Sequence, residues 1–151
     1  MNKKTAIVII VFALSAGFIL GRVTLPHITF ASSESINGHQ EYTISNCVSV
    51  LDENNVQKTS KGWVKWFVPK SFSQGLNLKM SQVAAHQARH GAHSHPGEEI
   101  LFVLKGKAEF TIGDEHQVVG PNASLYCPPG VLHGIRNAGD SALRYLVIKV
   151  D

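Results

Sequence analysis

The chain has 151 residues, of which 44% are hydrophobic and 17% charged, enough apolar material for one packed core and too little charge for wholesale disorder. Its pI near 9.0 comes from a local excess. Lys3, Lys4 and Arg22 stand among the first 31 residues, which hold no acid, while the remaining eleven basic residues face eleven acidic ones. A neutral body leaves no electrostatic footprint for phosphate backbones, which argues against nucleic acid as a partner, and two cysteines are too few for a disulfide scaffold.

In chain order, Asn2-Lys3-Lys4 is followed by the uncharged stretch Thr5–Gly21. A positive n-region before an apolar run is an export signal, so the body is expected outside the cytoplasm. Two versions stay open. Residues 1–31 are either a signal peptide cut near Thr29-Phe30-Ala31 or a signal anchor. As an anchor, residues 5–25 form a membrane helix of about 20 residues, and Lys3, Lys4 hold the N-terminus in the cytoplasm. Either way the body lies on the periplasmic side, tethered or soluble, and the membrane is a partner only through residues 5–25. Residues 32–40 are polar and read as a linker.

Residues 41–151 read as one all-β domain. Tyr42–Leu51 alternates loosely, and Asp52–Gly62 is a polar loop. Trp63–Val68 and Leu76–Val83 are β-rich, the second with Leu76, Leu78 and Met80 on one face of a period-two pattern. Turn signals then recur at Pro96-Gly97, Lys105-Gly106, Gly113-Asp114, Gly120-Pro121-Asn122, Pro128-Pro129-Gly130 and Asn137–Asp140. The strands expected between them are Glu99–Leu104, Lys107–Ile112, His116–Val119, Ser124–Cys127, Leu132–Arg136 and Ala142–Val150. Short strands at this spacing, with no helix-period segment, predict an antiparallel sandwich or barrel.

The chemistry concentrates in the histidines, four of eight lying between His86 and His95. His93 and His95 are two apart and share a face on extended backbone. Pro96-Gly97 turns the chain, and Glu99 opens the next strand. After another turn, His133 comes from a strand that can lie alongside. Three imidazoles and one carboxylate form a donor set for a divalent transition metal (Fe, Mn, Ni or Zn), with positions left for water or substrate. Glu98 adjoins Glu99, but strand parity sends neighbours to opposite faces, and the spacing selects Glu99.

His93-x-His95-x3-Glu99-x6-Gly106 resembles the first motif of the cupins, and Pro128-x-Gly130-x2-His133-x3-Asn137 resembles their second. The resemblance implies a double-stranded β-helix, or jelly-roll barrel, with the metal held by His93, His95, Glu99 and His133. Two motif glycines are replaced, by Gln87 and Asn122. The resemblance allows a metalloenzyme of dioxygenase, lyase or isomerase type acting on a small oxygenated or carboxylated molecule. The alternative is a non-catalytic module that holds a metal or a sugar.

Flanking residues have ordinary readings. His86, Arg89 and His90 are expected in an exposed loop, with a shuttle or carboxylate-clamp role as the alternative, and His116 is expected at the surface. Trp63 and Trp66 should face opposite ways. Ile100, Phe102 and Leu104 make an apolar row opposite Glu99 that a second sheet or a partner subunit must cover, and the resemblance implies a homodimer joined by such strands. Tyr145, Val147 and Lys149 share a face whose direction the sequence leaves open. Cys127 is expected as a small buried hydrophobe, and Cys47 and Cys127 are the one available disulfide pair.

Overall fold

The computed structural model describes residues 41–151; the expected signal or anchor segment 1–31 and linker 32–40 lie outside the described residues. A short helix α1 (Ile44–Cys47) precedes nine strands among the described residues. These are β1 (Gln57–Thr59), β2 (Gly62–Val68), β3 (Leu76–Val83), β4 (Glu98–Lys105), β5 (Ala108–Ile112), β6 (Glu115–Val119), β7 (Ser124–Cys127), β8 (His133–Asn137) and β9 (Leu143–Val150). They form a six-stranded sheet, β1-β2-β3-β9-β4-β7, and a three-stranded sheet, β6-β5-β8. All pairings are antiparallel, as expected for a jelly roll.

Two details differ from the sequence expectation. Tyr42–Leu51 pairs with no strand; its centre is the helical turn α1, started where the Thr43 N–H donates to Asn46 Oδ1 at 2.9 Å, and Ile44, Val48 and Val50 are exposed. β1 lies inside the supposed polar loop. Its three residues carry no apolar alternation, so only their pairing with Gly62–Val64 reveals them.

The core lies between the sheets. Val83, Leu101, Val103, Cys127, Leu143, Tyr145 and Val147 from the large sheet meet Ala108 and Phe110 of β5. Period-two alternation in β4 sends Glu99, Leu101 and Val103 inward and leaves Ile100 and Leu104 exposed. The register aligns Leu78, Ile148 and Ile100 across three strands, and Met80, Leu146 and Phe102 beside them. This apolar band lies on the outer face, so the chain's own second sheet does not cover it. Trp63 and Trp66 do face opposite ways. Trp63 is buried under the Arg144 guanidinium, 5.1 Å from its ring centre, and Trp66 lies on the same side as Lys79.

Cys47 is exposed and Cys127 buried, and both thiols are free, so the candidate disulfide is not formed.

Candidate metal centre

Main-chain bonds assemble the site before any side chain does. His93 and His133 form an isolated antiparallel bridge, each N–H donating to the other's carbonyl at 2.9 Å. The Gly130 N–H donates to the His95 carbonyl at 2.8 Å, joining the second motif's turn to the first motif's loop. Between His95 and Glu99 the chain turns at Gly97, where a Cβ would meet the Val150 carbonyl oxygen at 2.3 Å; only glycine fits this approach. Glu99 then enters β4 opposite Cys127 on one side and Lys149 on the other.

The rings of His93, His95 and His133 pack with centres 4.7 to 5.4 Å apart. His95 Nδ1 lies 2.9 Å from the Gly97 carbonyl and His133 Nδ1 lies 2.8 Å from that of Val131. A carbonyl can only accept, so each Nδ1 carries the proton and each Nε2 presents a lone pair. Those two Nε2 atoms lie 3.5 and 3.7 Å from the Glu99 carboxylate oxygens. They are buried without a hydrogen-bond partner among the described residues, and so is His93 Nδ1.

Buried nitrogens with no partner are costly unless something binds them. Donors about 2.1 Å from one shared ion, at tetrahedral or octahedral angles, lie roughly 3.0–3.5 Å apart. This is close to the 3.5 and 3.7 Å between Glu99 and the His95 and His133 nitrogens, while the donor atoms of the three histidines lie within 4.8 Å of one another. The residues therefore fit a transition metal ion. Burial lowers the His93 pKa, and the neighbouring His90 and His133 lower it further, which keeps the ring neutral as a ligand requires.

The four sequence-identified residues thus come together, and parity separates the two glutamates. Glu99 is buried, whereas Glu98 is exposed and accepts a hydrogen bond from the Tyr126 hydroxyl at 2.5 Å. Both glycine replacements are accommodated by the backbone. Asn122 takes the left-handed conformation itself, with φ 68°. In the other motif that role moves one residue, to His86 with φ 58° in the turn closed by the Gln87 N–H on the Ala84 carbonyl. Asn137 is fully buried and knits this region, its Nδ2 shared among the carbonyls of Val83, Ala84 and Ser141 while its Oδ1 accepts the Gly139 N–H.

Some neighbours depart from their ordinary readings. His86 is exposed and pairs with Asp140 at 2.9 Å, away from the site. His90 is exposed too, but its ring stands edge-on to His93, centres 4.4 Å apart, and both it and Arg89 line the cavity above Glu99. Arg89 is therefore not simply a solvated loop charge. His116 stays at the surface, bonded to the Thr111 hydroxyl at 3.0 Å. Tyr145 faces the cavity; burial pushes its phenol up to about 12 although a hydrogen bond with Ser81 lowers it in part. Burial likewise pushes the Cys127 thiol up to about 12, with Glu99 adding to the effect. Lys79 and Ser81 also line the cavity and were not singled out by sequence. Their signal is parity, since they alternate with Leu78 and Met80 on β3.

Comparison with known proteins agrees with this architecture. Residues 80–149 match the family model described as the cupin domain. Among solved structures, a cupin 2 conserved barrel domain protein from Salinispora arenicola is 21% identical, with a TM-score of 0.58 over 69% of this chain and 87% of that one. A predicted oxalate decarboxylase from Thermotoga maritima is 15% identical, with a TM-score of 0.59 over 68% and 98%. The polyketide cyclase RemF from Streptomyces resistomycificus is 18% identical, with a TM-score of 0.56 over 68% and 79%. At these identities the likeness is one of fold. No curated protein matches the chain.

Proposed function

The chain carries a cupin domain over residues 80–149, and from that premise we propose an exported mononuclear-metal cupin that acts as an enzyme on a small oxygenated or carboxylated molecule. His93, His95, Glu99 and His133 hold one divalent transition ion: Fe, Mn, Ni or Zn, all of which suit nitrogen and oxygen donors. When bound, such an ion supplies Lewis acidity, and in the case of iron a place for dioxygen, so dioxygenase, lyase and isomerase chemistry all fall within its reach. The protein's own contribution is orientation and exclusion of water. The Gly97 and Val131 carbonyls fix two imidazoles, and Leu101, Ile135 and Val147 wall the cavity.

One observation carries this reading: buried ring nitrogens of His93, His95 and His133 lack a partner among the described residues, the three histidines lie together, and two of the nitrogens face the Glu99 carboxylate. Elemental analysis of the protein purified from its own compartment tests it, with one transition ion per chain expected. Preparations that stay free of metal would overturn it.

The alternative, a module that holds a metal or sugar without turning it over, draws support from Tyr145 and Cys127. Both are kept protonated at neutral pH and so cannot serve as ready bases. Oxygen consumption and product analysis across keto acids, diketones and phenols separate the two readings.

Residues 1–31 deliver the domain across a membrane, as a cleaved signal or an anchor, with residues 32–40 as the linker. N-terminal sequencing of fractionated protein distinguishes these. The outer band of Leu78, Met80, Ile100, Phe102, Leu146 and Ile148 suits a homodimer, which sedimentation of the purified protein tests.

A further inference from the structure

The cavity lined by His93, Glu99 and His133 holds unbalanced charge. Glu99 is the only acid lining it, against two cations, Lys79 and Arg89, placed on different elements. Neither cation has an ion-pair partner among the described residues, and the other lysines in that state, Lys58, Lys61, Lys65, Lys105 and Lys107, do not line the cavity. Lys79 points inward from β3, and its ammonium lies over the ring of Trp66, 5.0 Å from the centre. Glu99 and Arg89 both lie close enough to act on it electrostatically, and Arg89 is felt by Tyr145 as well. These groups therefore surround one small space that opens to solvent.

If Glu99 spends its charge on a divalent ion, no other acid among the described lining residues balances Lys79 and Arg89. Partly buried cations left this way raise the energy of the empty site and favour an anion strongly. The shape of the groups is also suited to the task. A guanidinium fork and an ammonium together satisfy the two oxygens of a carboxylate, and the Tyr145 hydroxyl remains a neutral donor beside them.

Resting on the metal reading above, we infer that the substrate is a small carboxylate whose anionic group is held by Lys79 and Arg89 while its other polar end faces His93, His95, Glu99 and His133. The pair are positioning and specificity residues. They select against neutral analogues of equal size, because such analogues leave both cations desolvated and unpaired.

The test is binding calorimetry on the full chain, with the straight-chain dicarboxylates from oxalate to glutarate as probes and their neutral diamides as controls. At least one dicarboxylate should bind about tenfold or more tighter than its diamide. Lys79→Met and Arg89→Gln should each weaken that binding about tenfold or more, with metal content unchanged, and Lys79→Arg should restore part of it. Metal-stripped protein separates this inference from the metal reading. Residual carboxylate binding that still falls with Lys79→Met supports the inference even if no metal is ever found. It is overturned if no dicarboxylate outbinds its diamide, or if both charge-removing variants bind as the parent does while the protein still carries its metal.

Discussion

His93 and His133 exchange both of their backbone hydrogen bonds, at 2.9 Å in each direction, although one belongs to the loop before β4 and the other begins β8. Two candidate ligands are thus placed by main chain, through bonds that involve no ion. The ring nitrogens of His95 and His133 are oriented in the same way, by carbonyls rather than by each other. A site organised like this should persist when stripped.

Stripping with a chelator should therefore leave a folded barrel of lower stability. Restoring the metal at about a hundred times its dissociation constant should return about 2.7 kcal/mol, read as a rise in Tm. Glu99→Gln keeps the shape of the side chain and should abolish most of that rise. An equal rise in the variant would remove Glu99 from the ligand set.

Asn137→Ala should destabilise the chain by about 2–4 kcal/mol in urea denaturation, since it deprives buried carbonyls and the Gly139 N–H of their partner. A loss under about 1 kcal/mol would show that solvent or neighbouring groups replace it.

At Asn122, with φ 68°, glycine should be tolerated almost without loss, whereas valine should cost about 1–3 kcal/mol, because a β-branched side chain strains the left-handed conformation. Equal stabilities of Asn122→Gly and Asn122→Val would contradict that account.

Iodoacetamide at pH 8 should modify Cys47 in the native protein and spare Cys127, whose thiol is fully buried and pushed up to about 12. Both should react in denaturant. Mass mapping that finds Cys127 alkylated at the rate of Cys47 would mean that the core opens freely.

Asp151 is held down to about 2 by hydrogen bonds from Lys149 and Lys70. Its folded value lies below the ordinary 3.8, so the stabilisation it gives is complete above pH 3.8 and disappears as the pH falls through 2. Carboxyl NMR should give a midpoint near 2 in the parent chain and one near the ordinary value in a Lys70→Met, Lys149→Met double variant.

Most strands after Leu76 were legible in the sequence because Gly and Pro turns punctuate them and short antiparallel strands need little else. The four candidate ligands were legible through spacing alone. What stayed hidden follows from the same physics. β3 puts Leu76, Leu78 and Met80 outside and Asn77, Lys79 and Ser81 inside, the reverse of what hydrophobicity suggests for a sheet with one buried face. Lys79 was missed as a cavity residue, and for Arg89 the cavity role was only the alternative to a loop charge, because an unpaired cation in a sequence looks like a solvated one. The Tyr42–Leu51 segment shows the converse error, as apolar alternation without a neighbouring strand to pair with yields only a turn.

The position of β9 bears on how the domain is made. It is the last strand in the chain, yet it lies between β3 and β4, in register with both. Without residues 143–150 the two parts of the larger sheet, β1-β2-β3 and β4-β7, have no strand to join them. The seam between them is therefore held by a single strand that must satisfy two registers at once.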